Sequence, residues 1–134
     1  VVKFALDIFT EEYIKYFPKE AELYANLDKT QLIRILTNLI KNAIQATDKQ
    51  ENPLIKVTVL SEYNNLKITV SDNGKGISDD VKDLIFEPKF TTKTSGMGLG
   101  LAMIKNIIEA YDGAISFTSK EGVGTVFTVV LPKT

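Results

Sequence analysis

Asn38, Asn42 and Gln45 fall at i, i+4 and i+7 inside the best helical pattern of the chain. Leu32, Ile35, Leu36, Leu39, Ile40, Ala43 and Ile44 form the apolar stripe of that pattern. At about 100° per residue the three amides flank the stripe rather than oppose it. Amides at the rim of a core either face water or line a pocket. An amide oxygen accepts from a donor or ligates a hard cation, and an amide nitrogen donates to an anion.

Three further stretches hold residue types that do chemistry. In Asp72-Asn-Gly74-Lys-Gly76-Ile77 a carboxylate ends a strand pattern and is followed by glycines. Such a carboxylate can accept from a ring amino group, and glycine lets a ligand approach the backbone. The plain alternative is an Asp-Asn-Gly turn. Gly96-Met-Gly98-Leu-Gly100-Leu101 runs into an amphipathic helix, where free N–H groups and the helix N-terminus suit a phosphate. The alternative is a flexible helix entry. It is neither a P-loop nor a dinucleotide fingerprint. Phe86-Glu-Pro-Lys-Phe-Thr91-Thr92-Lys93 offers aromatics to pin a loop, and hydroxyls and Lys93 to meet phosphates. Gly122-Val-Gly124-Thr125 is most simply a hairpin turn, although Thr125 can reach a base across the sheet. Taken alone, these last two read as a solvated loop and a turn.

Composition removes other chemistries. The 134 residues suit one domain, with 44% hydrophobic and 25% charged residues. A net charge of −1 argues against a nucleic-acid binder. There is no cysteine and no histidine, which excludes disulfides, thiolate or imidazole metal sites and histidine bases within the chain. The metal this chain suits is therefore an oxygen-bound ion such as Mg²⁺. No G-x-S-x-G elbow is present. No apolar run approaches ~18 residues and no signal peptide is visible, so no membrane contact is expected. The chain starts at Val1 rather than Met, as a piece of a longer protein would.

The elements that must position these residues follow from periodicity. Val1–Asp7 reads as an edge strand or a linker end. Thr10–Phe17 reads as a short helix closed by Pro18. Asp28 with Gln31 makes a capping box for a helix over Lys29–Thr47. Leu54–Leu60 and Leu66–Ser71 read as a hairpin around Glu62–Asn65. Asp79–Ile85 reads as a short helix, and Glu87–Gly98 as a loop long enough to suggest function. Leu99–Tyr111 reads as a second amphipathic helix, followed by strands over Ala114–Ser119 and Thr125–Leu131. The expected fold class is α+β: a two-layer sandwich, with a mixed, mostly antiparallel sheet and helices on one face.

The order of the four motifs resembles the ATP-binding catalytic domain of sensor histidine kinases, of the GHKL superfamily and Bergerat fold. The resemblance covers nearly the whole chain: N box Asn38–Asn42, first glycine box Asp72–Gly76, F box Phe86–Phe90, second glycine box Gly96–Gly100. It implies one catalytic domain over residues 1–134, without the dimerisation helices. It also implies ATP and Mg²⁺ as ligands, with Asn42 as the metal ligand and Asp72 accepting from the adenine amino group. Gly74, Gly76 and Ile77 would floor the adenine pocket. Gly96, Gly98, Leu99, Gly100 and Leu101 would lie on the phosphate side. Phe86, Thr92 and Lys93 would belong to the lid, and Thr125 would lie near adenine. Asn38, Gln45 and Ala46 complete the nucleotide-binding set, and Asn42 and Lys93 are the catalytic pair it implies.

The implied activity is transfer of the γ-phosphoryl group to a histidine on a separate dimerisation domain, in two-component signal transduction. The acceptor must lie elsewhere, because this chain has no histidine. Implied partners are the dimerisation helices of the same kinase and a response regulator. The domain alone would be a monomer and the full-length protein a homodimer, with this domain cytoplasmic; members of the resembled family are often membrane-anchored as whole proteins. Gln45 departs from the pattern, since a basic residue often stands there; Lys93, Lys41 or Arg34 are the candidate replacements. Two other readings are a GHKL-type ATPase and a non-catalytic nucleotide-sensing module. Relatives that hydrolyse ATP typically place a Glu where Asn38 stands, and an amide cannot act as that base.

Overall fold

Alternation along the strands decides the layering. In the computed structural model, which describes residues 14–18, 29–62, 64–87 and 97–132, five strands form one sheet in the order β1-β2-β3-β5-β4. The strands are β1 (Ile14–Pro18), β2 (Ile55–Glu62), β3 (Asn65–Asp72), β4 (Ala114–Lys120) and β5 (Gly124–Pro132). Ile55, Val57, Val59, Leu66, Ile68, Val70, Phe127, Val129 and Leu131 are buried on one face. Lys56, Thr58, Lys67, Thr69, Val126 and Thr128 alternate with them on the other, more exposed face. A period of two places every second side chain on the same side.

The buried face is covered by α1 (Lys29–Ala46) and α2 (Met97–Ala110). Leu32, Ile35, Leu36, Leu39, Ile40 and Ala43 of α1 join Leu101, Ile104 and Ile108 of α2 in one core with the strands. Each such fully buried aliphatic side chain stabilises the fold by roughly 1.5–3 kcal/mol relative to exposure. The helix predicted from Lys29 is thus present. It ends one residue early at Ala46, where the buried Thr47 hydroxyl donates back to the Ala43 carbonyl at 2.9 Å. Asp28, the predicted N-cap, lies outside the described residues.

β2, β3, β5 and β4 pair antiparallel in succession, whereas β1 pairs parallel with β2, Ile14 opposite Ile55. A parallel pair needs a long crossover, which α1 supplies. β3 and β4 also run parallel, with β5 inserted between them and α2 as the crossover. The two-layer, mixed sheet expected from sequence is what forms.

One expectation is overturned. The short helix read over Thr10–Phe17 is strand β1 in its described part, Ile14–Pro18. Ile, Tyr and Phe favour a pleated strand, and the free edge of β2 offers the partner. Pro18 ends an edge strand, where a missing N–H does no harm. The reading of Val1–Asp7 lies outside the described residues. A smaller shift concerns α2, which begins at Met97 rather than Leu99, so Gly98 and Gly100 lie within its first turn. Asp79–Leu84 is a 3₁₀-helix, capped by the Ser78 hydroxyl, which accepts from the Asp80 N–H. After α2 the chain reverses through Asp112 at φ 62°, and Gly113 N–H reaches back to the Ile108 carbonyl at 2.9 Å. Among the described residues no helix is long and apolar enough to cross a membrane.

Candidate functional site

Asp72 is the last residue of β3, on the side that faces the helices. Its Oδ1 accepts from the Gly74 N–H at 2.8 Å. Its neighbour across the ladder is Thr125, the second residue of β5, which is buried. Burial pushes the Asp72 carboxyl above its ordinary value, against the opposing pull of the Gly74 and Thr125 N–H groups. A half-buried carboxylate with no cation beside it among the described residues is costly, and such groups concentrate where a ligand is bound.

The loop after Asp72 is gripped from two sides. Lys75 N–H donates to the carbonyl of Ala46, the last residue of α1, at 3.0 Å. A Cβ on Gly74 would strike that carbonyl oxygen and come within 2.8 Å of the Ala46 Cβ. Gly76 takes φ +72° against the Lys120 backbone, and Gly122 N–H donates to the Lys75 carbonyl at 2.8 Å. Glycine at 74 and 76 therefore serves close backbone approach as well as turning. Asn73 latches the strand end: its Oδ1 accepts from Leu54 N–H at 2.9 Å and its Nδ2 donates to the Asn52 carbonyl at 2.8 Å.

On α1 the amides divide. Asn38 Nδ2 donates to the Arg34 carbonyl at 3.1 Å, and its Oδ1 sits where a Cβ on Gly100 would collide with it. Asn38 is therefore part of the joint between α1 and α2. Asn42 carries a buried Nδ2 with no hydrogen-bond partner among the described residues. An orphaned buried amide costs about 1–3 kcal/mol, and a bound ligand is one way to supply the missing partner. An amide flip exchanges its two terminal atoms within the same shape, so that corner offers either a donor or a hard oxygen ligand. The donor chemistry fits an oxygen-bound Mg²⁺ beside phosphates. Gln45 is exposed, as are Lys41 and Arg34. Among the described residues no group of three or more acidic residues could hold a metal.

Residues 27–134 match the family described as histidine kinase-, DNA gyrase B-, and HSP90-like ATPases. The chain belongs to this family. Sensor histidine kinase ZraS of Escherichia coli K12 is 47% identical over 105 residues, covering 78% of this chain and 22% of that protein. The chain thus spans about a fifth of the length of the curated relatives it matches. The catalytic domain of histidine kinase ThkA, nucleotide free, superposes with a TM-score of 0.86 at 34% identity, covering 98% of this chain and 90% of that one. Histidine kinase ThkA in complex with response regulator protein TrrA gives 0.81 at 31% identity, covering 99% of this chain and 39% of that one.

In this ATPase-family framework the remaining sequence-derived residues distribute as follows. Ile77 and Phe86 are half-buried against the core. Phe86 packs edge-on to Phe117, centroids 5.9 Å apart, and Lys105 Nζ lies 5.5 Å from its ring centre. Leu101 is fully buried, so its side chain serves packing. Gly98 and Leu99 belong to the first turn of α2. Thr92, Lys93, Gly96 and Phe90 lie outside the described residues.

Sequence reasoning missed Ser119 and Lys82. Ser119 Oγ lies 2.8 Å from Ile77 N, 3.1 Å from the Gly124 carbonyl and 2.8 Å from Thr125 Oγ1. Lys82 Nζ donates to the Ser119 carbonyl at 2.7 Å and pairs with Asp79 at 2.8 Å. The available signal was parity: Ser119 follows Ile115 and Phe117 at the inward-facing positions of β4. A cavity of about 470 Å³ includes Lys56, Ser71, Thr118 and Val126 in its lining. Those four side chains belong to the sheet face away from the helices, but Asp72, Ser119 and Thr125 also line this hollow, so it adjoins the corner described above.

Proposed function

We propose that this domain binds ATP with Mg²⁺ at the corner between α1, the end of β3, the start of β5 and the start of α2. It would donate the γ-phosphoryl group to a histidine outside these 134 residues. The observation that carries the reading is the half-buried Asp72 carboxylate, held by backbone N–H groups beside the buried Thr125. It offers an acceptor to a ring amino group, with the glycine floor of residues 74–76 beneath.

Asn42 would hold Mg²⁺ through its amide oxygen, and the metal would supply charge neutralisation on the phosphates. The N–H groups at the start of α2 and the positive end of its dipole would face the phosphates. Thr92 and Lys93 would add lid contacts. In the transfer, an acceptor-histidine nitrogen forms a bond to the γ-phosphorus. The bond from that phosphorus to the β,γ-bridging oxygen breaks, leaving ADP. The domain's own part is positioning and charge stabilisation.

Asn38 favours transfer to a protein over hydrolysis. Its amide is engaged with the Arg34 carbonyl and Gly100, and an amide cannot take a proton from water. Dimerisation helices of the same kinase would carry the acceptor and make the full-length protein a dimer. A response regulator would be the downstream partner, which the structure of ThkA with TrrA supports. A domain that consumes ATP would work on the cytoplasmic side.

Calorimetry with ATP and Mg²⁺ tests the first step, and absence of any nucleotide binding would sink the reading. Mixing the domain with a histidine-bearing dimerisation fragment and labelled ATP tests the second. Acid-labile phosphohistidine is the expected product; hydrolysis alone would favour an ATPase, and binding without transfer a sensing module.

A further inference from the structure

We infer that Ser119 is a positioning residue that fixes the hydrogen-bond polarity of Thr125, and through it the preference of the site for a purine with an amino group rather than a carbonyl at ring position 6. The inference rests on the nucleotide-binding reading above. Ser119 Oγ has three polar neighbours, Ile77 N at 2.8 Å, the Gly124 carbonyl at 3.1 Å and Thr125 Oγ1 at 2.8 Å.

A serine hydroxyl has one proton and two lone pairs. The Ile77 N–H can only donate, so it takes one lone pair. The Gly124 carbonyl can only accept, so it takes the proton. The second lone pair is left for the Thr125 proton. No other assignment satisfies all three contacts: reversing the Ser119–Thr125 bond leaves two oxygens facing each other at 3.1 Å with no proton between them.

Thr125 is buried, and its proton is now turned toward Ser119. Its Oγ1 keeps only lone pairs for any other neighbour. Asp72, its partner across the β3–β5 ladder, is likewise acceptor-only when ionised. The corner thus presents two acceptors side by side. An amino group, or a water that bridges to one, satisfies them. A guanine-type ring carbonyl in the same place faces acceptors alone, and unpaired buried polar groups are what give a site strong discrimination.

The test compares ATP and GTP affinities of the domain by calorimetry, for the parent, Ser119→Ala and Ser119→Thr. With alanine, the Thr125 hydroxyl is free to turn and donate outward, and the ATP-over-GTP preference is expected to fall about tenfold, the scale of one buried hydrogen bond. Threonine keeps the hydroxyl and is expected to keep the preference. If Ser119→Ala does not fold, Ser119→Cys, with a thiol that accepts weakly, is read for the same fall. Equal losses of ATP and GTP affinity, with the ratio unchanged, would mark Ser119 as merely structural and overturn the inference alone. A parent that binds neither nucleotide would overturn the site reading and this inference with it.

Discussion

Asp72 carries a charge that its surroundings resist. Its raised pKa means that the folded state binds the proton more tightly than the unfolded chain does. Stability from this group is therefore complete below the ordinary carboxylate value and falls as pH rises through the raised one, so the free domain bears the full cost above that raised value. Asp72→Asn removes the charge and keeps an oxygen for the Gly74 N–H. The expected outcome at a pH where Asp72 is ionised is an unchanged or higher melting temperature with nucleotide affinity down about 10–100-fold, the worth of a hydrogen bond to a charged group. Thermal melts at pH 7 alongside calorimetry check it, and a lower melting temperature would refute the charge argument. Asn42→Ala makes the complementary case. Its Nδ2 has no partner among the described residues, so the free domain should lose little stability. The Mg²⁺-dependent part of ATP affinity should vanish while any metal-free affinity stays, as titrations with and without EDTA would read. Asp72 and Asn42 were legible because each sits in a local motif with its own spacing. Ser119 was not, because its meaning comes from Ile77, 42 residues away in the chain.

At the scale of elements, the joint between α1 and α2 sets where the start of α2 points. Gly100 lies against Asn38, and a methyl there would collide with the amide oxygen. Alanine is otherwise better than glycine inside a helix by about 1 kcal/mol. The sign of Gly100→Ala should therefore depend on residue 38. In the parent it is expected to destabilise and to weaken ATP binding. In an Asn38→Ala background it should stabilise by up to about 1 kcal/mol. A double-mutant cycle in denaturant measures the coupling, and additive effects would show that the contact does not constrain the helices. The helices themselves were readable from their apolar stripes, and β2, β3 and β5 from alternation within one short window. β1 was misread because its evidence is non-local: Ile14–Pro18 becomes a strand through parallel pairing with Ile55–Val59, across the whole of α1. The first turn of α2 was placed two residues late for a related reason. Glycines argue against helix locally, whereas the packing of Gly100 against Asn38 requires one.

For the whole molecule, the candidate corner draws on α1, β3, β5 and α2, so on the proposed reading a bound nucleotide would tie both crossovers to the sheet at once. A ligand that binds only the folded state at 100 times its Kd adds about 2.7 kcal/mol. For a domain of this size, about 4 °C per kcal/mol, the melting temperature should rise by about 10 °C with ATP and Mg²⁺. Ile68 separates this effect from core stability. It is fully buried at the middle of β3, four residues from Asp72 on the same face. At about 3.3 Å per residue the two are about 13 Å apart, beyond the range in which mutations usually couple. Ile68→Val should lower stability by about 0.5–1.5 kcal/mol, with and without nucleotide alike. Asp72→Asn should do the reverse, leaving the free domain in place and cutting the nucleotide-dependent rise from about 10 °C to about 2–6 °C. If Ile68→Val shrank that rise instead, the corner would depend on sheet packing throughout, and the site could not be treated as a local assembly mounted on an independent core.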